Sequence, residues 1–246
     1  MPRRARLLAP DLPFHVVQRG VNRGAIFADD LDRDHFLRVA HKAFQKHQIA
    51  LHAYVLMGNH VHLLVSPRVA SSLAVAMRGL GNSYVQAFNR RHERTGPLWQ
   101  GRFHSSLVED DAYLLAVYRY IELNPIRAGL ATLPEHCPWS SARGNLGLRD
   151  DPLLTRHAVF NALGETAEQR VQRYATFLRD TSRARREAAV IREQGRTQSA
   201  LGDARFLQML GETLGHPVVA RPRGRPRKAG GDGNPRQGAS RVVKTD

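Results

Sequence analysis

Two histidines separated by one residue are the first side chains with the types and spacing of a metal site. His60 and His62 lie in the apolar run HVHLLV, residues 60–65. On a β-strand alternate residues point to the same face, so both imidazoles would point one way and Val61 and Leu63 the other. Imidazole nitrogens held on a rigid strand suit a divalent metal ion. A half-buried strand in which histidine happens to alternate with apolar residues is the open alternative.

A tyrosine and an asparagine one helical turn apart form the second candidate group. Tyr120 and Asn124 end the run YLLAVYRYIELN. Residues four apart lie on the same face of a helix, so a phenol and an amide could stand together beside the histidines. Tyr113, Tyr118 and Glu122 compete for such roles. For each tyrosine the alternative is packing between helix and sheet, with the hydroxyl reaching water.

The pattern of apolar residues predicts the elements that must position these groups. The strands are expected at residues 13–19, 49–57, 60–65 and 101–109, and the helices from Asp29 or Asp30, over 71–92, and from Asp110 or Asp111 to Asn124. The order strand, helix, strand, strand, helix, strand predicts an α+β fold with a ferredoxin-like, split βαβ core. Such a core is an antiparallel sheet with its helices on one face. The helix that carries Tyr120 follows this core.

Four sequence motifs resemble those of REP-associated tyrosine transposases. GNHVHLLV, LWQGRF, YRYIELNPIRAGL and PWSSAR occur in this order over about residues 10–145. These proteins belong to the HUH single-strand transposases, which use one catalytic tyrosine and have a ferredoxin-like core. Four motifs in order are far more specific than any one of them. Residues 150–246 exceed the minimal catalytic unit of that family, and the resemblance gives them no role.

The resemblance implies a role for each candidate residue. His60 and His62 would bind Mg²⁺ or Mn²⁺, and Asn124 would complete the metal site. Tyr120 would attack a phosphate of single-stranded or hairpin DNA, leaving a 5′-phosphotyrosine and a free 3′-OH. The ester conserves the phosphodiester bond, so rejoining needs no ATP, and the chain has no GxxxxGK[ST] motif. The DNA would be a repetitive extragenic palindrome, and the enzyme a monomer or a homodimer.

The charge of the chain indicates a nucleic-acid partner. The 246 residues include 37 Lys and Arg against 22 Asp and Glu, a net charge of +15. Basic side chains that neutralise phosphates release counterions, so this balance suits DNA. No apolar run approaches the ~18 residues of a membrane-spanning helix, and Cys137 is the single cysteine. We therefore expect a cytoplasmic, nucleoid-associated protein that does not bind membranes.

Beyond the motifs the chain is expected to form a helical extension and a basic tail. The predicted units are a catalytic domain over 1–145, an extension over 146–216 with two helices in 155–194 and one in 201–215, and a disordered tail over 217–246. The RGRP segment of the tail resembles an AT-hook, which enters the minor groove of A·T-rich DNA. A generic basic tail that contacts only phosphates is the alternative.

Six residues are predicted to contact DNA: Arg102, His104, Arg223, Arg225, Arg227 and Lys228. Trp99 and Phe103 are also able to stack on bases, although core packing is the favoured interpretation of both.

Two other function classes compete with the transposase. One is a DNA- or RNA-binding regulator on the same fold without catalysis. The presence of His60, His62 and Tyr120 together argues against it. The other is a metal hydrolase that activates water on the two histidines, which lacks a third strong ligand such as a suitably placed Glu or His.

Overall fold

A four-stranded antiparallel sheet lies at the centre of the computed structural model, which describes residues 9–109, 113–197 and 200–214. The strands are β1 (Phe14–Arg19), β2 (Ile49–Met57), β3 (His60–Pro67) and β4 (His104–Leu107). Their order across the sheet is β2-β3-β1-β4. Together with the helices between them, this is the ferredoxin-like, split βαβ order, so the predicted fold class is confirmed.

Nine α-helices lie in the described part of the chain, and the first two connect strands of the sheet. They are α1 (Asp30–Lys46), α2 (Ser72–Arg91), α3 (Leu114–Glu122), α4 (Asn124–Arg127), α5 (Ala142–Asn145), α6 (Ala158–Asn161), α7 (Ala167–Arg179), α8 (Thr181–Thr197) and α9 (Ala204–Leu214). The two helices predicted within 155–194 correspond to α7 and α8; the structure adds the four-residue helix α6 before them and extends α8 to Thr197. None of the helices in these described ranges is long and apolar enough to cross a membrane.

Helices cover both faces of the sheet: the two core helices α1 and α2 share one face, as predicted, and α3, α6, α7 and α8 lie on the other. The β3 residues Val61, Leu63 and Val65 pack into a hydrophobic cluster with α1 and α2. Leu64, on the opposite face of β3, packs into a second cluster with α3, α6, α7 and α8. Leu64, together with Ala53 and Val55 of β2, gives the second face enough apolar surface to require its own layer of helices.

The helix that carries Tyr120 is shorter than predicted. It ends at Glu122, and Asn124 begins the separate four-residue helix α4. Pro125 has no N–H to donate to the preceding turn, and this interrupts the helical hydrogen bonds at the junction. The predicted start at Asp110 or Asp111 lies outside the described residues. The preceding strand, predicted over 101–109, spans only His104–Leu107, and Gly101 has a φ of +124° that leaves extended geometry.

Segments from the later part of the chain cover both edges of the sheet. Along β2, Leu56 N donates to Trp139 O, Ser141 N to Tyr54 O and Thr155 N to Leu51 O. Beyond β4, Leu201 forms a parallel bridge with Val108. These bonds satisfy backbone groups that an open sheet edge would expose.

Candidate active site

The hairpin between β2 and β3 positions the histidine pair. Its turn is Gly58-Asn59, and its backbone carbonyls accept hydrogen bonds from the segment that follows β1: Gly20 N donates to Asn59 O and Ile26 N to Gly58 O, both at 2.9 Å. Only glycine fits at position 20, because a Cβ there would lie 2.2 Å from Gly24 O. The turn that precedes His60 is therefore held from outside the hairpin.

His60 is oriented by its neighbour Asn59. The His60 Nδ1 and Asn59 Oδ1 atoms are 2.6 Å apart, and Asn59 Nδ2 donates to Arg23 O at 3.0 Å. The second contact places the amide nitrogen on Arg23, so the amide oxygen faces His60 and must accept. His60 therefore carries its proton on Nδ1 and keeps the lone pair on Nε2.

His62 contacts a third histidine, His15 on β1. The His15 Nε2 and His62 Nδ1 atoms are 2.8 Å apart, and both side chains are buried. Sequence reasoning missed His15, although its place in PFHVVQR puts it on one face of β1. The pairing of β1 with β3, which brings it to His62, is not visible in a single sequence.

Burial keeps these histidines in the neutral form. It lowers the pKa of His15 and of His60 to about 4 and holds the pKa of His62 well below its ordinary value. The positive charge of Arg19 adds to the effect on His60. A neutral imidazole is the form that binds metal ions.

The Tyr120 ring lies on the same face of the sheet as the histidines and within the same chain. Its centroid is 5.6 Å from that of His62 and 5.7 Å from that of His15, in edge-on contacts. The side chain is 8% exposed, so the ring is largely buried but a small part of it remains accessible to solvent. One chain thus brings the ring of Tyr120 beside His62, whose own ring contacts His60.

Asn124 begins α4, and its Nδ2 atom is buried without a hydrogen-bond partner. A half-turn of this amide exchanges nitrogen for oxygen, so the side chain is able to present an oxygen ligand there. Across the described ranges, no group of three or more His, Cys, Asp or Glu side chains is placed to hold a metal ion. The donor set of two imidazole nitrogens and one amide oxygen nevertheless fits a divalent ion such as Mn²⁺ or Mg²⁺.

Two arginines bring positive charge to this site, and neither was predicted from the sequence. The Arg127 guanidinium lies 4.3 Å from the centroid of the Tyr120 ring and donates to Tyr120 O at 2.5 Å. Arg19 pairs with His60 across β1 and β3. Both arginines are exposed, and an exposed cation beside two neutral histidines suits a phosphate.

The other residues of α3 that were considered for catalysis have structural roles. Glu122 is fully buried on the side of the extension, where Ser141, Asn145 and Tyr174 donate to its carboxylate. Tyr118 is fully buried and packs against Phe160 and Tyr174. Tyr113 precedes the first turn of α3 and packs at the border of the same cluster.

The predicted DNA contacts fall into three places. His104 is exposed and pairs with Val17, which in turn pairs with His62, so two strand spacings, about 10 Å, separate the two histidines on one face. Arg102 lines a groove of about 420 Å³ between α2 and the 97–103 segment, where Trp99 is half-buried and Phe103 is buried. The tail residues Arg223, Arg225, Arg227 and Lys228 lie outside the described residues.

A comparison with known families identifies the domain around this site. Residues 9–124 match the sequence profile of the IS200-like transposases. Over this range, a little under half of its length, the chain is similar to that family. The matched range includes β1 to β4, the three histidines, Tyr120 and Asn124, and it ends before Arg127 and the extension.

Two relatives carry the name of the family that the motifs suggested. A Haemophilus influenzae (strain Rd) protein named as a REP-associated tyrosine transposase is 27% identical over 99 residues, which are 36% of this chain and 56% of that protein. The chain therefore matches little more than half the length of this curated relative. A solved REP-associated tyrosine transposase bound to a REP hairpin superposes with a TM-score of 0.51 and 14% identity, covering 65% of this chain and 93% of that one. At this identity the likeness shows the fold.

Proposed function

We propose that this protein cleaves and rejoins single-stranded or hairpin DNA in a metal-dependent reaction, with Tyr120 as the nucleophile, and that it serves DNA transposition. One observation carries the proposal. The Tyr120 ring contacts His62, and the contacts of His60 and His62 with their neighbours use Nδ1, so Nε2 is the ring nitrogen that those contacts leave unused in each.

His60, His62 and Asn124 would hold Mg²⁺ or Mn²⁺. The chemistry that such an ion supplies is polarisation of the scissile phosphate and stabilisation of the charge that develops on it. Arg127, beside the Tyr120 ring, and Arg19, paired with His60 across the strands, are placed to bind the same phosphate.

Tyr120 Oη then attacks the phosphorus atom. The new Tyr–O–P bond forms as the bond to the 3′-oxygen breaks, the phenol proton is released, and the leaving oxygen takes up a proton to become a 3′-OH. Attack by a 3′-OH on the phosphotyrosine reverses the same bond changes and frees Tyr120. A single tyrosine handles one strand at a time, which suits unpaired or hairpin DNA, and the solved relative described above is bound to a REP hairpin.

The test is a covalent-adduct assay with labelled single-stranded hairpin DNA and Mg²⁺ or Mn²⁺. We expect a protein–DNA adduct that survives denaturation, and its complete loss in Tyr120→Phe. Tyr113→Phe is the matched control, because Tyr113 lies on the same segment but precedes the first turn of α3; it should retain the adduct. An adduct in Tyr120→Phe would overturn the assignment of the nucleophile. Tight binding of hairpins without any adduct would instead identify a non-catalytic regulator.

A further inference from the structure

His15 is a buried histidine whose ring nitrogen faces that of a second buried histidine, His62. It pairs with Leu64 across β1 and β3, while His62 pairs with Val17, so the two histidines are diagonal neighbours on the active-site face. Their rings are nearly parallel, at 17°, with the two facing nitrogens 2.8 Å apart. Both side chains are at most 5% exposed, so water does not readily replace this contact.

Only one arrangement of protons across this contact leaves His62 able to bind a metal ion. If His15 Nε2 donates, then His62 Nδ1 must accept, and the proton of a neutral His62 sits on Nε2. If His62 Nδ1 donates, then His15 Nε2 accepts and His62 Nε2 keeps its lone pair. The second arrangement repeats the contact of Asn59 with His60, in which Nδ1 donates and Nε2 is left available.

We infer that His15 is a positioning residue for the metal site: its Nε2 accepts the Nδ1 proton of His62 and so directs His62 Nε2 to the ion. This inference rests on the proposed function, because it assigns His62 as a ligand. Metal-binding histidines commonly donate their second nitrogen to an acceptor, and loss of that acceptor typically costs about 10- to 100-fold in metal affinity. Simple core packing would be served equally well by an aromatic ring without nitrogen.

Three variants of the full chain separate these roles. His15→Phe keeps the ring but removes the acceptor, and His15→Gln keeps an acceptor at about the position of Nε2. His41→Phe makes the same change on α1, on the opposite face of the sheet. Mn²⁺ affinity is measured by calorimetry on each folded protein. We expect about a 10-fold or greater loss in His15→Phe, a loss of less than about threefold in His15→Gln, and wild-type affinity in His41→Phe.

A second measurement needs no metal and no variant. The ¹⁵N resonances of the imidazoles in the metal-free wild type report which nitrogen carries the proton. Protonated Nδ1 with bare Nε2 in both His15 and His62 supports the inference, and a protonated Nε2 in His62 overturns it. Unchanged Mn²⁺ affinity in folded His15→Phe also overturns it and leaves the proposed function standing. Absence of Mn²⁺ binding by the wild type would overturn both.

Discussion

At the scale of single residues, the candidate site depends on side chains whose second polar atom is already engaged. Asn59 uses both ends of its amide, donating to Arg23 O and accepting from His60. His62 has its Nδ1 against His15. Such supporting contacts fix the direction of a ligand before the ion arrives, which lowers the entropy cost of binding.

Asn59→Ala tests the support of His60. The substitution removes the acceptor for Nδ1, so the ring can rotate and its Nε2 is no longer directed to one place; we expect Mn²⁺ affinity to fall by about 10-fold. The measurement is calorimetric titration of the folded protein. Asn82→Ala, at an exposed position on α2, is the control. An affinity equal to that of the wild type in Asn59→Ala would show that His60 is oriented by other contacts.

The residues that sequence reasoning found differ from those it missed in one respect. His60, His62, Tyr120 and Asn124 stand at spacings of two or four residues, which strand and helix geometry convert directly into a shared face. His15 reaches the site only through the pairing of β1 with β3. A pairing between distant segments is set by the whole sheet, so a local pattern does not reveal it.

At the scale of elements, the tyrosine helix is held by buried polar side chains that contact segments later in the chain. Arg119 is 1% exposed and donates to the Phe177 carbonyl and to the carboxylate of Glu187 on α8. Glu122 is fully buried on the same helix, and burial raises its pKa. The extension therefore helps to hold α3, and with it Tyr120, in place on the sheet.

Glu187→Ala tests this attachment. It leaves the buried Arg119 guanidinium without its counter-ion, and we expect the free energy of unfolding to fall by about 3 kcal/mol. Urea denaturation measures the change. Arg183→Ala removes the exposed partner of the same carboxylate, and it should cost less than about 1 kcal/mol. Equal losses in the two variants would contradict a special role for the buried pair.

The buried His52 of β2 makes the stability of the protein depend on pH. It bonds to Thr155 in the segment that covers the edge of β2. His52 Nδ1 donates to Thr155 O at 2.6 Å and Nε2 accepts from Ser66 Oγ at 2.9 Å. Burial lowers its pKa from 6.5 to about 4. Between these values the unfolded chain binds the proton and the folded chain does not, so stability falls as the pH is lowered through this range.

His52→Asn isolates that contribution. The amide is expected to keep a donor for Thr155 O but has no proton-binding nitrogen. The variant should therefore lose less stability than the wild type between pH 6.5 and pH 4, by on the order of 3 kcal/mol. Urea unfolding at several pH values gives the two slopes. If the free energy of unfolding falls equally with pH in the wild type and in His52→Asn, then His52 does not account for the acid sensitivity.

The sequence predicted the strands and the shared layer of α1 and α2, but it did not show which face of the sheet α3 would cover. The apolar runs located β1, β2 and β3 because alternation and turn residues are local signals. That α3 covers the face opposite to α1 and α2 follows from Leu64 and the β2 residues Ala53 and Val55, which require burial on that side. The length of the connection before a helix does not indicate which face of the sheet that helix will cover.

At the scale of the whole molecule, part of the positive charge lies outside the segments that form the candidate active site. The net charge of +15 includes a basic segment, Arg221 to Lys228, that lies beyond the described residues and outside the range matched by the transposase family. Positive charge of this kind raises affinity for DNA through counterion release without contacting the reacting atoms. Binding strength and cleavage are therefore expected to be separable.

Deletion of residues 217–246 tests this separation. Binding of hairpin DNA should weaken, and the dependence of log Kd on log salt should become shallower, because fewer phosphates are neutralised. Fluorescence anisotropy at several salt concentrations measures both quantities. Adduct formation at saturating DNA should persist. Complete loss of the adduct at saturation would show that the tail belongs to the catalytic unit.

The covered edges of the sheet also have a consequence for synthesis on the ribosome. The outer edge of β2 is closed by Trp139, Ser141 and Thr155, roughly a hundred residues after the strand itself. At about 5–20 residues per second, that edge stays open for several seconds after β2 has emerged. Contacts so distant in sequence slow folding, and an unpaired apolar strand is prone to aggregate during this interval. Conditions that slow elongation before residue 155 should therefore lower the yield of native protein more than equal delays after it.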